Sequence, residues 1–186
     1  MKTKKLSWLS LTVMLLALCA SIVPAKAQTP EPTNVEWATY KAPHYTIDYP
    51  AFLEITYEDN DIVNASMQDE EYCMLSVNYG EDGPTQAELS ELAKNYTWMK
   101  ESHGCKSEVE LKDKLLIIKS LCKDEVDADE ADEEAEAVEA KEQIEYYFVV
   151  MKEDRVCIFG AFTFDKDKEE KYAPLFSRIL SSVKFQ

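Results

Sequence analysis

The chain has 186 residues, with 20 Lys and Arg against 36 Asp and Glu and a formal charge of −16. Such an acidic field disfavours nucleic acid and anionic membrane surfaces and favours cations. With only 4 Gly, the chain lacks the material for a phosphate-cradling loop or a nucleophile elbow.

The chain opens on the basic run Met1-Lys2-Thr3-Lys4-Lys5, followed by the apolar stretch from Leu6 to Val23 and the small-x-small exit Pro24-Ala25-Lys26-Ala27 before Gln28. Basic, apolar and small-residue regions in that order read as a secretory signal peptide over residues 1–27. A membrane anchor is the competing reading of so long an apolar run. Acylation at Cys19 is disfavoured, because Leu18 stands where a lipobox wants a small residue. Removing residues 1–27 removes Lys2, Lys4, Lys5 and Lys26, leaving 16 Lys and Arg and a formal charge of −20. The expected location is therefore periplasmic or extracellular.

Residues 28–36 carry two prolines and no periodicity, which predicts a flexible leader. From Trp37 the pattern is that of strands, and residues 37–186 are expected to form one α+β domain. Tyr45–Tyr49 is β-branched and aromatic and stops at Pro50, while Leu53–Tyr57 alternates as a half-buried strand should. Asp61–Met67 and Tyr72–Tyr79 follow, the latter with Cys73, Leu75, Val77 and Tyr79 on its core face.

Gly83-Pro84 ends this region, and Thr85-Gln86-Ala87-Glu88 has the form of a capping box. Leu89, Leu92, Tyr96 and Met99 recur at helical spacing beyond it, and Gly104 is placed to end the helix. Ser107–Leu111 and Leu115–Leu121 read as a hairpin, and Ile144–Met151 and Val156–Phe164 as another. A closing helix runs from about Asp167 to Ser182 with Tyr172, Leu175, Phe176, Ile179, Leu180 and Val183 on its apolar side. Pro174 inside it would cost about 3 kcal/mol or a kink, so its regular part is expected to start near Ala173. The predicted order is ββββ-α-ββββ-α, an antiparallel sheet with two packed helices.

After cleavage four cysteines remain: Cys73, Cys105, Cys122 and Cys157. An even count in an exported chain implies two disulfides, with buried free thiols as the alternative; no ligand spacing supports zinc. If Leu111 faces Leu116 across the hairpin, Cys105 falls opposite Cys122, which favours Cys105–Cys122 together with Cys73–Cys157.

Tyr45-Thr46-Ile47-Asp48-Tyr49-Pro50 resembles the opening aromatic-x-hydrophobic-x-Tyr-Pro strand of PsbP/Mog1-like proteins, and Ile179-Leu180-Ser181-Ser182-Val183-Lys184-Phe185 is similar to their final helix and tail. The resemblance spans residues 40–186 in outline and implies an α/β sandwich that serves as an accessory or binding module without catalytic machinery. The acidic insertion and the four cysteines depart from that pattern, and no functional residue carries over.

Residues 124–142 are an acidic insertion with eleven carboxylates and a single lysine, Lys141. Asp127, Asp129, Asp132 and Glu133 are the metal candidates, for calcium if for any cation, because hard cations take clustered carboxylate oxygens. The EF-hand template fails, with Asp132 at the glycine position and Val138 where a bidentate Glu belongs. A solvated excursion and a surface for a cationic partner are the other readings. His44 and His103 are the only histidines. Either could serve a small hydrolase as a base, though surface or capping roles fit their settings better. Trp37, Tyr40, Tyr45, Tyr49 and Tyr57 could line a groove but at strand spacing suit core and sheet.

The expectation is thus an exported, non-catalytic binding or accessory protein of the cell envelope. It is expected to need no cofactor, and its partner to be an envelope protein or small ligand, with a cationic one suited to the acidic surface. A calcium- or charge-dependent interaction protein and a small hydrolase are the alternatives.

Overall fold

A computed structural model describes residues 34–67, 72–123 and 141–186. Ten strands run as β1 (Trp37–Lys41), β2 (Tyr45–Pro50), β3 (Glu54–Asp59), β4 (Ile62–Ser66), β5 (Cys73–Gly80), β6 (Lys106–Lys112), β7 (Leu115–Lys123), β8 (Glu142–Glu153), β9 (Val156–Asp165) and β10 (Lys184–Phe185). Helix α1 (Leu89–Ser102) separates β5 from β6, and α2 (Glu169–Ser182) separates β9 from β10. A seven-stranded sheet has the order β3-β4-β5-β9-β8-β7-β6, and a three-stranded one the order β1-β2-β10. Every pairing is antiparallel. The expected α+β class with antiparallel sheets and two helices is what the structure has. The predicted order lacked β1 and β10, both of which hydrogen-bond to β2.

The large sheet carries a core on each face. On one face Ile144, Phe148, Ile158, Phe162 and Phe164 pack with Tyr172, Leu175, Phe176 and Ile179 of α2 and with Tyr45 and Ile47 of β2. On the other, Leu116, Ile118, Val149, Met151 and Cys157 pack with Leu89 and Ala93 of α1. The period-2 alternation of the strands produces this division: Leu116 and Ile118 face α1, while Ile117 packs with the α2 side.

Both helices begin as a single 3₁₀ turn, at Gln86–Glu88 and Lys166–Lys168. The Glu88 carboxylate accepts the Thr85 N–H at 2.8 Å, and that bond holds the Glu88 carboxyl below the usual carboxylate range. Helix α2 is regular from Glu169, four residues ahead of the expected start, with Pro174 inside it. Four side chains explain this, since Tyr172, Leu175, Phe176 and Ile179 are buried, each worth about 1.5–3 kcal/mol against about 3 kcal/mol for the proline. Met99, expected in the α1 stripe, is exposed.

Strand β3 also departs from expectation: all six of its residues are exposed. It is an edge strand, and a register shift between Ile55 and Tyr57 breaks its alternation; the buried anchor is Leu53, just before it. Of the leader, Val35 packs against the α2-side core and the Glu36 carbonyl accepts the Ala51 N–H.

The hairpin register is the one that pairs Leu111 with Leu116, and Cys105 is bonded to Cys122 with a Cα–Cα distance of 4.2 Å. The Cys73–Cys157 bridge is not formed. Cys73 pairs with Phe164 and Cys157 with Gly80, at opposite ends of the β5–β9 ladder, and no side-chain rotation closes a gap of roughly seven strand residues, on the order of 20 Å. Cys157 is a buried free thiol whose pKa burial raises. Replacing both Cys105 and Cys122 by serine is expected to lower stability by about 3 kcal/mol, as a 17-residue separation implies. Chemical unfolding checks this, and peptide mapping without reduction should recover the Cys105–Cys122 link with Cys157 alkylated only after denaturation.

Candidate functional site

A cleft of about 370 Å³ lies on the α2 side of the large sheet, lined by Lys106, Ser107, Glu108, Lys119, Leu121, Ile144 and Lys166. Strand register builds its floor. Lys106 pairs with Leu121, which pairs with Ile144, and Glu108 pairs with Lys119, so two adjacent rows of one face supply five of the lining residues. The 3₁₀ turn before α2 brings Lys166 over this floor. Lysine charge is thereby gathered at one place on a strongly acidic protein.

Glu169, in the first turn of α2, accepts from Lys119 at 2.7 Å and pairs with Lys166. The hydrogen bonds from Lys119 and Lys166 hold the Glu169 carboxyl below the usual range, and the same bond from Glu169 raises Lys119. Lys119 also lies over the Tyr146 ring, 5.8 Å from its centroid. Among the described residues no ion pair engages Lys106. Three lysines against Glu108 and Glu169 leave the cleft locally positive over an apolar floor of Leu121 and fully buried Ile144. Chemically, this arrangement can hold an anionic head with a short apolar body.

The residues singled out from the sequence sit elsewhere. Asp127, Asp129, Asp132 and Glu133 lie outside the described residues, as does most of the acidic insertion; Glu142, its last residue, opens β8 opposite Lys123. Among the described residues no group of three or more His, Cys, Asp or Glu could hold a metal ion. His44 is 47% exposed, stacks on Tyr79 at 4.6 Å and bonds Asp61 Oδ2 through Nδ1 at 2.8 Å. His103 lies at the end of α1, with Nδ1 2.8 Å from the Met99 carbonyl, followed by Gly104 at φ +75°. Neither histidine lines the lysine cleft. Among the aromatics, Tyr45 is wholly buried, Trp37, Tyr40 and Tyr49 pack partly buried against the same core, and Tyr57 is exposed. Arg178 lies over the Trp37 ring at 4.3 Å.

Sequence reasoning passed over Lys106, Lys119 and Lys166. One signal was present: Lys119 interrupts the apolar run Leu115–Leu121 on a strand with one face buried and the other partly buried. Because the folded Glu169 carboxyl titrates below its unfolded value, its contribution is present above the unfolded pKa and is lost as pH falls through the folded one. Glu169→Gln is expected to cost about 0.2–1 kcal/mol at neutral pH and nothing once the wild-type carboxyl is protonated. Melting curves of both proteins should converge as the pH falls below the ordinary carboxylate range and through the folded-state titration of Glu169; a constant gap would show that the loss is not electrostatic.

No family model and no curated protein matches the chain. Among solved structures it is similar to the solution structure of cyanobacterial PsbP (CyanoP) from Synechocystis sp. PCC 6803, at TM-score 0.40 and 12% identity, covering 82% of this chain and 94% of that one.

Proposed function

We propose that the protein is an exported, non-catalytic binding module of the cell envelope, and that the cleft lined by Lys106, Lys119 and Lys166 is its ligand site. The observation that carries this reading is the cleft itself, where three lysines converge over Leu121 and Ile144. The expected ligand is a small monoanion with a short apolar body, such as a carboxylic acid. The field of a chain at −20 penalises each further negative charge, so a polyanion is disfavoured, whereas a single charge gains from lysines within contact distance. Lys106 supplies a charge that no carboxylate among the described residues pairs with, and Glu169 positions Lys119 and Lys166. Export rests on the basic, apolar and small-residue order of residues 1–27.

Titration of the isotopically labelled mature chain with hexanoate and, separately, inorganic phosphate tests the site. Hexanoate is expected to give saturable amide shifts clustered at Lys106, Leu121, Ile144 and Lys166, and Lys106→Glu to weaken them by about tenfold, the worth of one charge-assisted contact. Shifts that scatter over the surface, or no saturation at millimolar hexanoate, sink the proposal. A stronger response to phosphate would overturn the carboxylate assignment. N-terminal sequencing of the exported protein should read Gln28 first.

A further inference from the structure

The two ends of the large sheet differ. Strand β3 ends it with a register break, which twists an edge out of reach of another strand. Strand β6, at the other end, pairs with β7 in unbroken register over seven residues, contains no proline and, among the described residues, has no strand on its outer side. Beside that edge lies a groove of about 370 Å³ between β6 and α1, lined by Ser90, Ala93, Lys94, Thr97, Trp98, Glu101, Val109 and Leu111. Trp98 is 72% exposed, Val109 48% and Leu111 45%. Unguarded strand edge and bared apolar side chains thus share one border of the molecule.

We infer that this border binds a second copy of the chain, β6 against β6, in a two-fold antiparallel pair. A two-fold axis normal to the sheet keeps Val109 and Leu111 on the same face in both copies, so paired positions must add up to an even number. Charge pairing and the placement of Val109 and Leu111 together choose among the registers. Setting Val109 against itself places Lys106 opposite Lys112 and Glu108 opposite Glu110, like against like on both sides. Shifting one way leaves Val109 opposite Ser107, and shifting two steps the other way sets it opposite Asp113. The remaining register, centred on Glu110, pairs Glu108 with Lys112 twice and Val109 with Leu111 twice. Its unfavourable central contact, Glu110 with its copy, is relieved because each Glu110 already pairs with the Lys112 of its own strand.

The helix above the edge obeys the same symmetry. Helix α1 contacts β6 and β7 and lines the groove beside the edge, so a two-fold axis normal to the sheet sets its copy antiparallel to it across the seam. Lys94 and Glu101 line the groove on either side of Thr97 and Trp98. Antiparallel copies set Lys94 of each against Glu101 of the other, with Trp98 buried between them. The surface that would expose the apolar groove to water becomes a shared second core.

Light scattering of the eluting mature chain at 150 mM salt, across a concentration series, tests this. A dimer is expected, with Trp98 emission shifting to the blue as concentration rises. Glu108→Lys and Lys112→Glu should each weaken it about tenfold or more, because either change creates two like-charged pairs. The double variant, carrying both changes, should restore it to within about threefold of the wild type. All three positions of the test, including Leu111→Asp as the apolar disruptor, are solvent-exposed, and circular dichroism checks that each variant folds. A monomer at every concentration overturns the inference, as does a dimer that survives Leu111→Asp or a double variant that stays dissociated. None of these outcomes depends on ligand in the lysine cleft.

Discussion

Strands β8 and β9 have almost no solvent face, and the rest of the molecule is arranged to satisfy that condition. Their side chains alternate between two cores, with Phe148, Ile158, Phe162 and Phe164 on one side and Val149, Met151 and Cys157 on the other. A central antiparallel pair that is apolar on both faces must be covered twice. Burying each large side chain contributes about 1.5–3 kcal/mol, so leaving either face open would forfeit more than a domain's net stability. The fit is close at Gly160, where a Cβ would run into the Ser76 carbonyl and the Phe148 ring. That position admits no side chain because the neighbouring strand and its own cross-strand partner already occupy the space.

The two covers differ in kind. Helix α2 and the small sheet close one face together; Ser182 Oγ accepts the Asp48 N–H at 2.7 Å and ties the end of α2 to β2. Helix α1 closes the other face with a polar clamp added to its apolar stripe. Tyr96 donates to Glu145 at 2.6 Å, Lys100 bonds the same carboxylate at 2.8 Å, and Tyr96 stacks on Tyr147 at 4.2 Å. Burial raises the pKa of both tyrosines, that of Tyr147 to about 12, so the clamp keeps its phenolic protons across the physiological range. What the covers leave over, the lysine cleft beside α2 and the groove beside α1, are the margins of the two cores where β6 runs past each helix.

Local rules read well wherever the local signal was also the energetic one. The register that sets Leu111 opposite Leu116 placed Cys105 against Cys122, because a hairpin register is fixed by its two-residue turn. Tertiary burial decided the misses. Pro174 looked disruptive because the four buried side chains around it belong to contacts far away in sequence. Leu53–Tyr57 has the alternation of a half-buried strand, yet its place at the sheet edge and its register shift are products of topology. An assumed Cys73–Cys157 bridge counted thiols without knowing that β5 and β9 run antiparallel along their whole lengths. The lysine cleft was harder still, since Lys166 reaches it from a turn more than forty residues beyond Lys119.

The small sheet has a mechanical consequence. Strands β1 and β10 both lie antiparallel to β2 and flank it, β1 starting opposite Pro50 and β10 ending opposite Tyr45. The domain's first and last strands therefore leave β2 at opposite ends and in opposite directions. A force applied between the leader and the C-terminal residues loads those ladders along the strands, so their hydrogen bonds share the load instead of opening one at a time. The three strands of the small sheet would act as its tension lock, shielding the two-faced sheet behind them from any pull on the chain.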